Sequence, residues 1–311
     1  MRTGTNSDHH QQAGRTRQGT LPPDELDRLL ASMDEPGGWR SALSRLDLPV
    51  LSRKKFWFTD SRKSEFYRRL PVGEHRRALD VGSGSGIIAE GLAGTFDEVV
   101  ALERDQRWCR FIERRLAQDG FTNVDVVCGD ALAVPLGTDR FDLVVVNGVL
   151  EWVAEGTDPR SPWEVQCTFL TKLHESLRTD GAIGIAIENR YCLSHFFGLT
   201  PHGEPPWTVI LPRRLADGIS RRRRGIPYRT WIYGPWGYRR LLRCCGFRDV
   251  RVQQVLPSYH RPDSVVSLWD GLRTRDCFPT AKPAKRLVRD VLGRTRLLGL
   301  LTHSFYISGR K

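Results

Sequence analysis

The sequence predicts an α/β fold: an open, mostly parallel sheet with helices on both faces. Three observations point to it. Strand-like and helix-like segments alternate from residue 77 onward, and βαβ order of this kind demands a parallel sheet. Residues 141–148, FDLVVVNG, form a near-continuous apolar run, which suits a strand covered on both faces. A glycine-rich turn at 82–86 follows the first strand and opens the first helix.

The elements follow in order. Residues 1–20 are polar, lack periodicity and read as a disordered tail. LPPDELDRLLASM, from 21, reads as a short helix. Pro22 and Pro23 stand at its start, and Leu26, Leu29 and Leu30 form its apolar stripe. Residues 36–60 are mixed and aromatic, and 61–70 read as another short helix, so 21–74 is expected to be an N-terminal helical extension. The domain expected at 75–311 opens with the strand RRALDVG and the helix GIIAEGLAG, ended by Gly94. Next come the strand DEVVALE and the amphipathic helix DQRWCRFIERRLAQDG, with Trp108, Phe111, Ile112 and Leu116 on one face. NVDVVCGD, FDLVVVNG and GAIGIAIEN complete five strands, with a helix at about 164–178 before the fifth. An insertion rich in Pro, Gly, Trp and Arg covers about 190–233, its one clear element being ILPRRLADGI. A helix at 235–245, the strand FRDVRVQQVL, an irregular or helical insertion at about 256–302 and the strand HSFYISGR end the chain. The count is seven strands, the last antiparallel.

Composition narrows the class. Apolar residues make up 40% and charged residues 27%, as in ordinary globular proteins. No stretch approaches the roughly 20 apolar residues of a membrane span, and MRTGTNSDHHQQ holds no apolar signal core. The reading is a cytoplasmic protein, with contact at a membrane surface left open. Seven cysteines without a C-x-x-C argue against a zinc ribbon or a disulfide framework, and Cys244 and Cys245 read as free thiols at a helix end. No metal site is expected. From residue 205 onward 23 Lys and Arg stand against six Asp and no Glu, a net of +17, while residues 1–204 carry −5. Such a lopsided field attracts anions, nucleic acid among them, or reflects a solvated Arg-rich face.

Four segments carry chemistry, each at a strand's carboxyl end. In Leu79-Asp80-Val81-Gly82-Ser83-Gly84-Ser85-Gly86 the glycine spacing is G-x-G-x-G, with Ile87 after it, so it departs from the pyrophosphate-binding G-x-G-x-x-G. Asp80 suits a cation better than an anion. S-Adenosylmethionine (SAM) carries a sulfonium and an ammonium group, which an acid there can help hold. Glu103 ends the second strand, where a carboxylate with two acceptor oxygens can take both ribose hydroxyls. Asp130 and Ala131, after Gly129, can meet the adenine amino group and ring. Asn147 follows the fourth strand at the ligand-binding edge of the sheet.

These residues resemble the class I SAM-dependent methyltransferases. LDVGSGSG is similar to their glycine-rich motif, Glu103 to their ribose-binding acid, Gly129-Asp130-Ala131 to their adenine motif and FDLVVVNGVLEWV to their fourth strand. FRDVRVQQVL and HSFYISGR resemble their final antiparallel pair. The resemblance covers about 75–310. It implies a Rossmann-like seven-stranded sheet, SAM as cofactor, methyl transfer as the activity, and Asp80, Gly82, Gly84, Glu103, Asp130 and Asn147 as cofactor contacts; Ser83, Gly86 and Ala131 complete the expected cofactor set. GVLEWV, IAIENRYCLSHFFG and the segment from 228 are similar to bacterial and archaeal methyltransferases of cell-surface glycan or small-molecule pathways. That implies a small-molecule or glycan acceptor. Trp231 and LTPHGEPPWT depart from their pattern.

For the acceptor side the candidates are Glu151, Glu188 and His260, with His195 and His202 beside them. Each has a plain structural alternative: a cap, a turn network or a core imidazole. The run Arg221, Arg222, Arg223 and Arg224 is either a solvated face or a clamp for acidic groups. Tyr228, Arg229, Trp231, Tyr233, Trp236 and Tyr238 are either a stacking surface or core. The competing readings are an RNA or DNA methyltransferase using the basic C-terminal third, a non-catalytic SAM-binding protein and a nicotinamide dehydrogenase.

Overall fold

The computed structural model describes residues 21–155, 159–199, 201–276 and 283–311. The tail expected at 1–20 and the seventh cysteine, Cys277, lie outside the described residues. The six described cysteines are free.

Among the described residues eight strands form one sheet, in the order β3-β2-β1-β4-β5-β8-β6-β7. They are β1 Arg77–Val81, β2 Glu98–Glu103, β3 Val124–Cys128, β4 Phe141–Asn147, β5 Leu177–Glu188, β6 Arg248–Ser258, β7 Arg261–Ser267 and β8 Ser304–Arg310. Strands β1 to β5 pair in parallel, and β8 runs antiparallel to both β5 and β6. The sheet therefore has one strand more than the seven expected. β7 lies inside the stretch read as an irregular or helical insertion and pairs antiparallel with β6. Its sequence, RPDSVVS, buries little and carries a proline and a charge, as sheet-edge strands do.

Five helices precede the sheet: α1 Pro23–Ser32, α2 Gly38–Arg45, α3 Pro49–Lys54, α4 Phe56–Thr59 and α5 Arg62–Arg68. The rest are α6 Ile87–Ala93, α7 Gln106–Gln118, α8 Pro162–Ser176, α9 Leu193–Phe196, α10 Arg213–Arg224, α11 Pro235–Cys244, α12 Gly271–Asp276 and α13 Pro283–Arg294. The amphipathic α7 starts where Asp105 accepts from the Arg107 N–H, so the cap fixes its register. α8 starts at Pro162 because Ser161 and Glu164 form a reciprocal capping box. None of the described helices is long and apolar enough to cross a membrane.

Alternation along β1 splits the core. Leu79 and Val81 join one apolar layer, with Val144, Val146 and Phe169, while Ala78 joins the other, with Ile88, Val99 and Ile112. A third cluster ties the leading helices to α7: Leu26, Leu29, Met33, Leu51 and Phe58 close over Trp108 and Phe111. Each such side chain contributes about 1.5–3 kcal/mol by leaving water. Residues 36–60, unassigned from sequence, thus fold as short helices of eight, six and four residues on this cluster.

Between β1 and β4 the strand order reverses, since β2 and β3 lie to one side and β5 to the other. Loops leaving neighbouring strands there diverge and open a crevice at the carboxyl edge.

Candidate functional site

A cavity of about 1370 Å³ occupies that crevice. Gly82, Ser83 and Gly84 line it, as do Glu103, Asp130, Ala131 and Asn147. Two residues expected there stand behind its wall. Asp80 is buried beneath the turn, with its Oδ2 unpaired, and Gly86 packs on Ile112.

The glycines are demanded by space. At Gly82, φ +72°, a Cβ would come within 2.4 Å of the Val149 side chain. At Gly84, φ +52°, it would meet nothing closer than the Gly82 carbonyl at 3.9 Å, so this backbone faces open cavity. Glu103 grips the turn: one carboxylate oxygen accepts from Gly84 N–H at 2.9 Å, the other from Arg104 and Asp105 N–H at 2.7 and 3.0 Å. Each carboxylate oxygen has two lone pairs, so the oxygen that holds Gly84 keeps one acceptor site for a ribose hydroxyl. Asp130 accepts from Leu132 N–H at 2.8 Å, and Lys172 secures the same loop by donating to the Ala131 and Leu132 carbonyls. Asn147 accepts through Oδ1 from the Tyr67 hydroxyl at 2.8 Å.

The acceptor-side candidates converge at the far end of the same cavity. Glu151, Glu188, His195, His202 and His260 all line it. Glu151 is fully buried, and neither of its oxygens has a hydrogen-bond partner among the described residues. Burial, reinforced by the nearby charge of Glu188, pushes its carboxyl well above the usual range. Burial works the same way on Glu188, but the His202 imidazole, 3.5 Å away, and the Tyr259 hydroxyl outweigh it and hold that carboxyl below the usual range. Tyr259 donates to Glu188 Oε1 at 2.8 Å. Burial lowers His260 to about 4, leaving it neutral in ordinary conditions. His195 is tied down, its Nδ1 lying 3.0 Å from the Arg190 carbonyl.

Several lining residues escaped the sequence reading. Trp57 joins the wall from the leading helices, its ring 6.1 Å from that of His260, and its carbonyl accepts from the Ser85 hydroxyl in the glycine turn at 2.7 Å. Leu26 and Lys54 line the same wall. Tyr259 is likewise new to the lining, and Tyr67, outside it, holds Asn147; the one available signal was a buried-type aromatic within a polar segment. His303 also lines the cavity, from the loop before β8.

Other candidates lie elsewhere. The four arginines 221–224 form the last turn of α10, where cations favour the helix dipole; Arg221 pairs with Asp217 and Arg224 with Glu204. Tyr228, Tyr233 and Tyr238 are core, with Tyr233 and Tyr238 donating to Gln166 and to the Glu188 carbonyl. Trp231 is half-buried under the guanidinium of Arg213, Arg229 donates to the Ala154 carbonyl, and Trp236 is exposed. Apart from Trp236, the aromatics of this series thus pack the interior.

This arrangement has counterparts among known proteins. A family profile described as a methyltransferase domain matches residues 79–183. Protein-L-isoaspartate O-methyltransferase of Nitrobacter winogradskyi is 34% identical over 92 residues, 30% of this chain and 42% of that protein. A tRNA1(Val) (adenine(37)-N6)-methyltransferase of Citrobacter koseri is 32% identical over 129 residues, 40% of this chain and 52% of its own length. The chain thus spans about half or less of these relatives. Phosphoethanolamine N-methyltransferase 2 of Haemonchus contortus, solved with SAM, superposes with a TM-score of 0.50 at 12% identity, over 94% of this chain and 61% of that one. At that identity the likeness is one of fold.

Proposed function

We propose that the protein, whose residues 79–183 match a methyltransferase-domain profile, is a class I SAM-dependent methyltransferase that transfers the SAM methyl group to a small-molecule or glycan acceptor. One observation supports this above the rest: the glycine turn, Glu103, Asp130 and Asn147 share a single cavity with the buried Glu151, Glu188 and His202. Cofactor and acceptor groups can therefore meet inside one enclosure. The Gly84 backbone open to the cavity and the spare acceptor capacity of Glu103 fit an adenosyl cofactor. Gly82, Ser83 and Gly84 would cradle its amino-acid part, Glu103 its ribose, and Asp130 and Ala131 its adenine, with Asn147 nearby.

SAM supplies an electrophilic methyl group on a good leaving group, so positioning carries most of the catalysis. Trp57, His260 and the leading helices wall off water on one side. Glu188, oriented by Tyr259 at the acceptor end of the cavity, can accept a hydrogen bond from an acceptor hydroxyl and so position it. The loop after β4 reads Asn147-Gly148-Val149-Leu150 and lacks the N-P-P-Y pattern, which favours a small acceptor over a nucleic-acid base.

The test is S-adenosylhomocysteine formation from SAM with panels of sugars, hydroxylated small molecules, peptides and tRNA. Turnover of tRNA alone would reverse the acceptor assignment. Replacing Glu103 with Ala is expected to weaken SAM binding by about 1–3 kcal/mol, the cost of losing a charged acceptor, as read by calorimetry.

A pH effect follows from Asp80. Burial raises its carboxyl to about 7, against a lowering by the Ser83 hydroxyl and with a further push from Glu103. An acid raised in the folded state binds its proton more tightly there than in the unfolded chain. The ligand-free protein therefore loses stability as pH climbs from the ordinary carboxylate range through 7. A bound cation favours the ionised carboxyl, so SAM affinity is expected to rise from about pH 6 to 8, and to rise less in Asp80→Asn. Equal pH profiles for the two proteins would contradict a part for Asp80.

A further inference from the structure

We infer that Glu151, Glu188 and His202 form a binding site for one divalent metal ion of the Mn²⁺ or Zn²⁺ kind, at the acceptor end of the cavity. The inference deepens the proposed activity, on which it rests only for the nature of the acceptor.

The geometry comes first. One ligand atom from each side chain lies within 4.8 Å of the others. His202 Nε2 stands 3.5 Å from Glu188 Oε1 and 3.8 Å from Glu151 Oε1. An ion about 2.1 Å from each donor needs donors about 3.0–3.6 Å apart; the imidazole stands near that range from both carboxylates, and the two carboxylates, within 4.8 Å of each other, need at most about 1.2 Å of closure.

The second observation is unmet bonding. Both oxygens of Glu151 and Oε2 of Glu188 are buried without a hydrogen-bond partner among the described residues. An orphaned buried acceptor costs about 1–3 kcal/mol, more when charged, and native interiors seldom leave three together. A proton on Glu151 donated to Glu188 Oε2 would serve two of them and leave the third bare. A doubly charged ion bridging the two carboxyl groups and the imidazole serves all three residues at once.

The surroundings behave as outer partners do in metal centres. Tyr259 donates to Glu188 Oε1 and orients that carboxylate. The Trp152 ring packs edge to face on His202 at 4.5 Å and fixes the imidazole plane. The three donors come from separate elements: the loop after β4, the end of β5 and the turn Pro201–Gly203. Two carboxylates with one imidazole suit borderline divalent ions better than Ca²⁺ or Mg²⁺. Three protein ligands leave positions for an acceptor presenting two neighbouring oxygens, such as a vicinal diol of a sugar.

The test uses the full chain stripped with chelator and titrated with MnCl₂, with free Mn²⁺ followed by electron paramagnetic resonance. One ion per chain is expected to bind, and Glu188→Gln and His202→Ala should each weaken it about tenfold or more. Both variants should keep wild-type circular dichroism and SAM affinity. No binding at millimolar Mn²⁺, or equal binding by wild type and Glu188→Gln, overturns the inference and leaves the carboxyl pair to an ammonium group of the acceptor. Calorimetry with SAM alone separates this result from a failure of the cofactor reading, because it does not depend on the metal.

Discussion

Gly84→Val is expected to lower SAM affinity by at least about a hundredfold, near 2.7 kcal/mol, while the protein stays folded. The position has φ +52°, a left-handed conformation that costs an L-residue roughly 1–2 kcal/mol and a β-branched one more. Part of the penalty therefore falls on the apo protein, as a melting point a few degrees lower. The rest falls on the ligand. An added side chain at 84 meets no protein wall and must project into the cavity, where the cofactor's amino-acid part would lie. Gly82 gives a less clean test, since its new Cβ would strike Val149 and disturb the loop after β4. Calorimetry with SAM beside a thermal melt separates the two effects. Wild-type affinity in Gly84→Val would end the assignment of this turn to the cofactor.

The second large effect is expected at Arg115. This side chain is 1% exposed. Nε donates to Glu90 at 2.9 Å, Nη1 donates to the Ser85 carbonyl at 3.0 Å, and the guanidinium carbon lies 4.2 Å from the Trp39 ring centre. One cation thus joins the leading helices, α6, α7 and the glycine turn. Arg115→Ala removes all three contacts and leaves Glu90 without its partner. Breaking a buried pair on one side costs about 3–5 kcal/mol, which corresponds to a melting point lower by roughly 10 °C. SAM affinity should fall as well, because Ser85 loses its support. The double variant Arg115→Leu with Glu90→Leu should recover part of the loss, since no uncompensated charge is then buried. A single-variant cost below about 1 kcal/mol, read from denaturant melts, would show that the guanidinium is dispensable.

The central sheet was legible because its strands carry unambiguous signals. FDLVVVN can be buried on both faces only as a central strand, and each strand in the first half ends in a glycine or an acid that marks the loop beyond it. Those loops are local in sequence, so Glu103, Asp130 and Asn147 could be named without coordinates. What stayed hidden depends on contacts between distant segments. α3 and α4 have six and four residues, too few turns to show a helical period, so Trp57 and its neighbours gave no sign that they wall the cavity. β7 was missed because an exposed edge strand has no apolar alternation to display. His202 could be named as a candidate from the sequence, but its place against Glu151 and Glu188 came only with the fold. Arg115 could have been flagged: it stands four residues after Phe111 on the apolar face of α7, where a charge requires a partner.

The cluster that joins the leading helices to α7 also constrains the order of assembly. Leu26, Leu51 and Phe58 bury themselves against Trp108 and Phe111, about 50 to 85 residues further along. On a ribosome these early segments must wait, apolar side chains unsheltered, until α7 has been synthesised and seated on the sheet. Contacts so remote in sequence form late, because chain closure has to precede them. The wall contributed by Trp57 and Lys54 should then be among the last features of the molecule to settle, and a newly made chain would acquire its ligand pocket only at the end of folding.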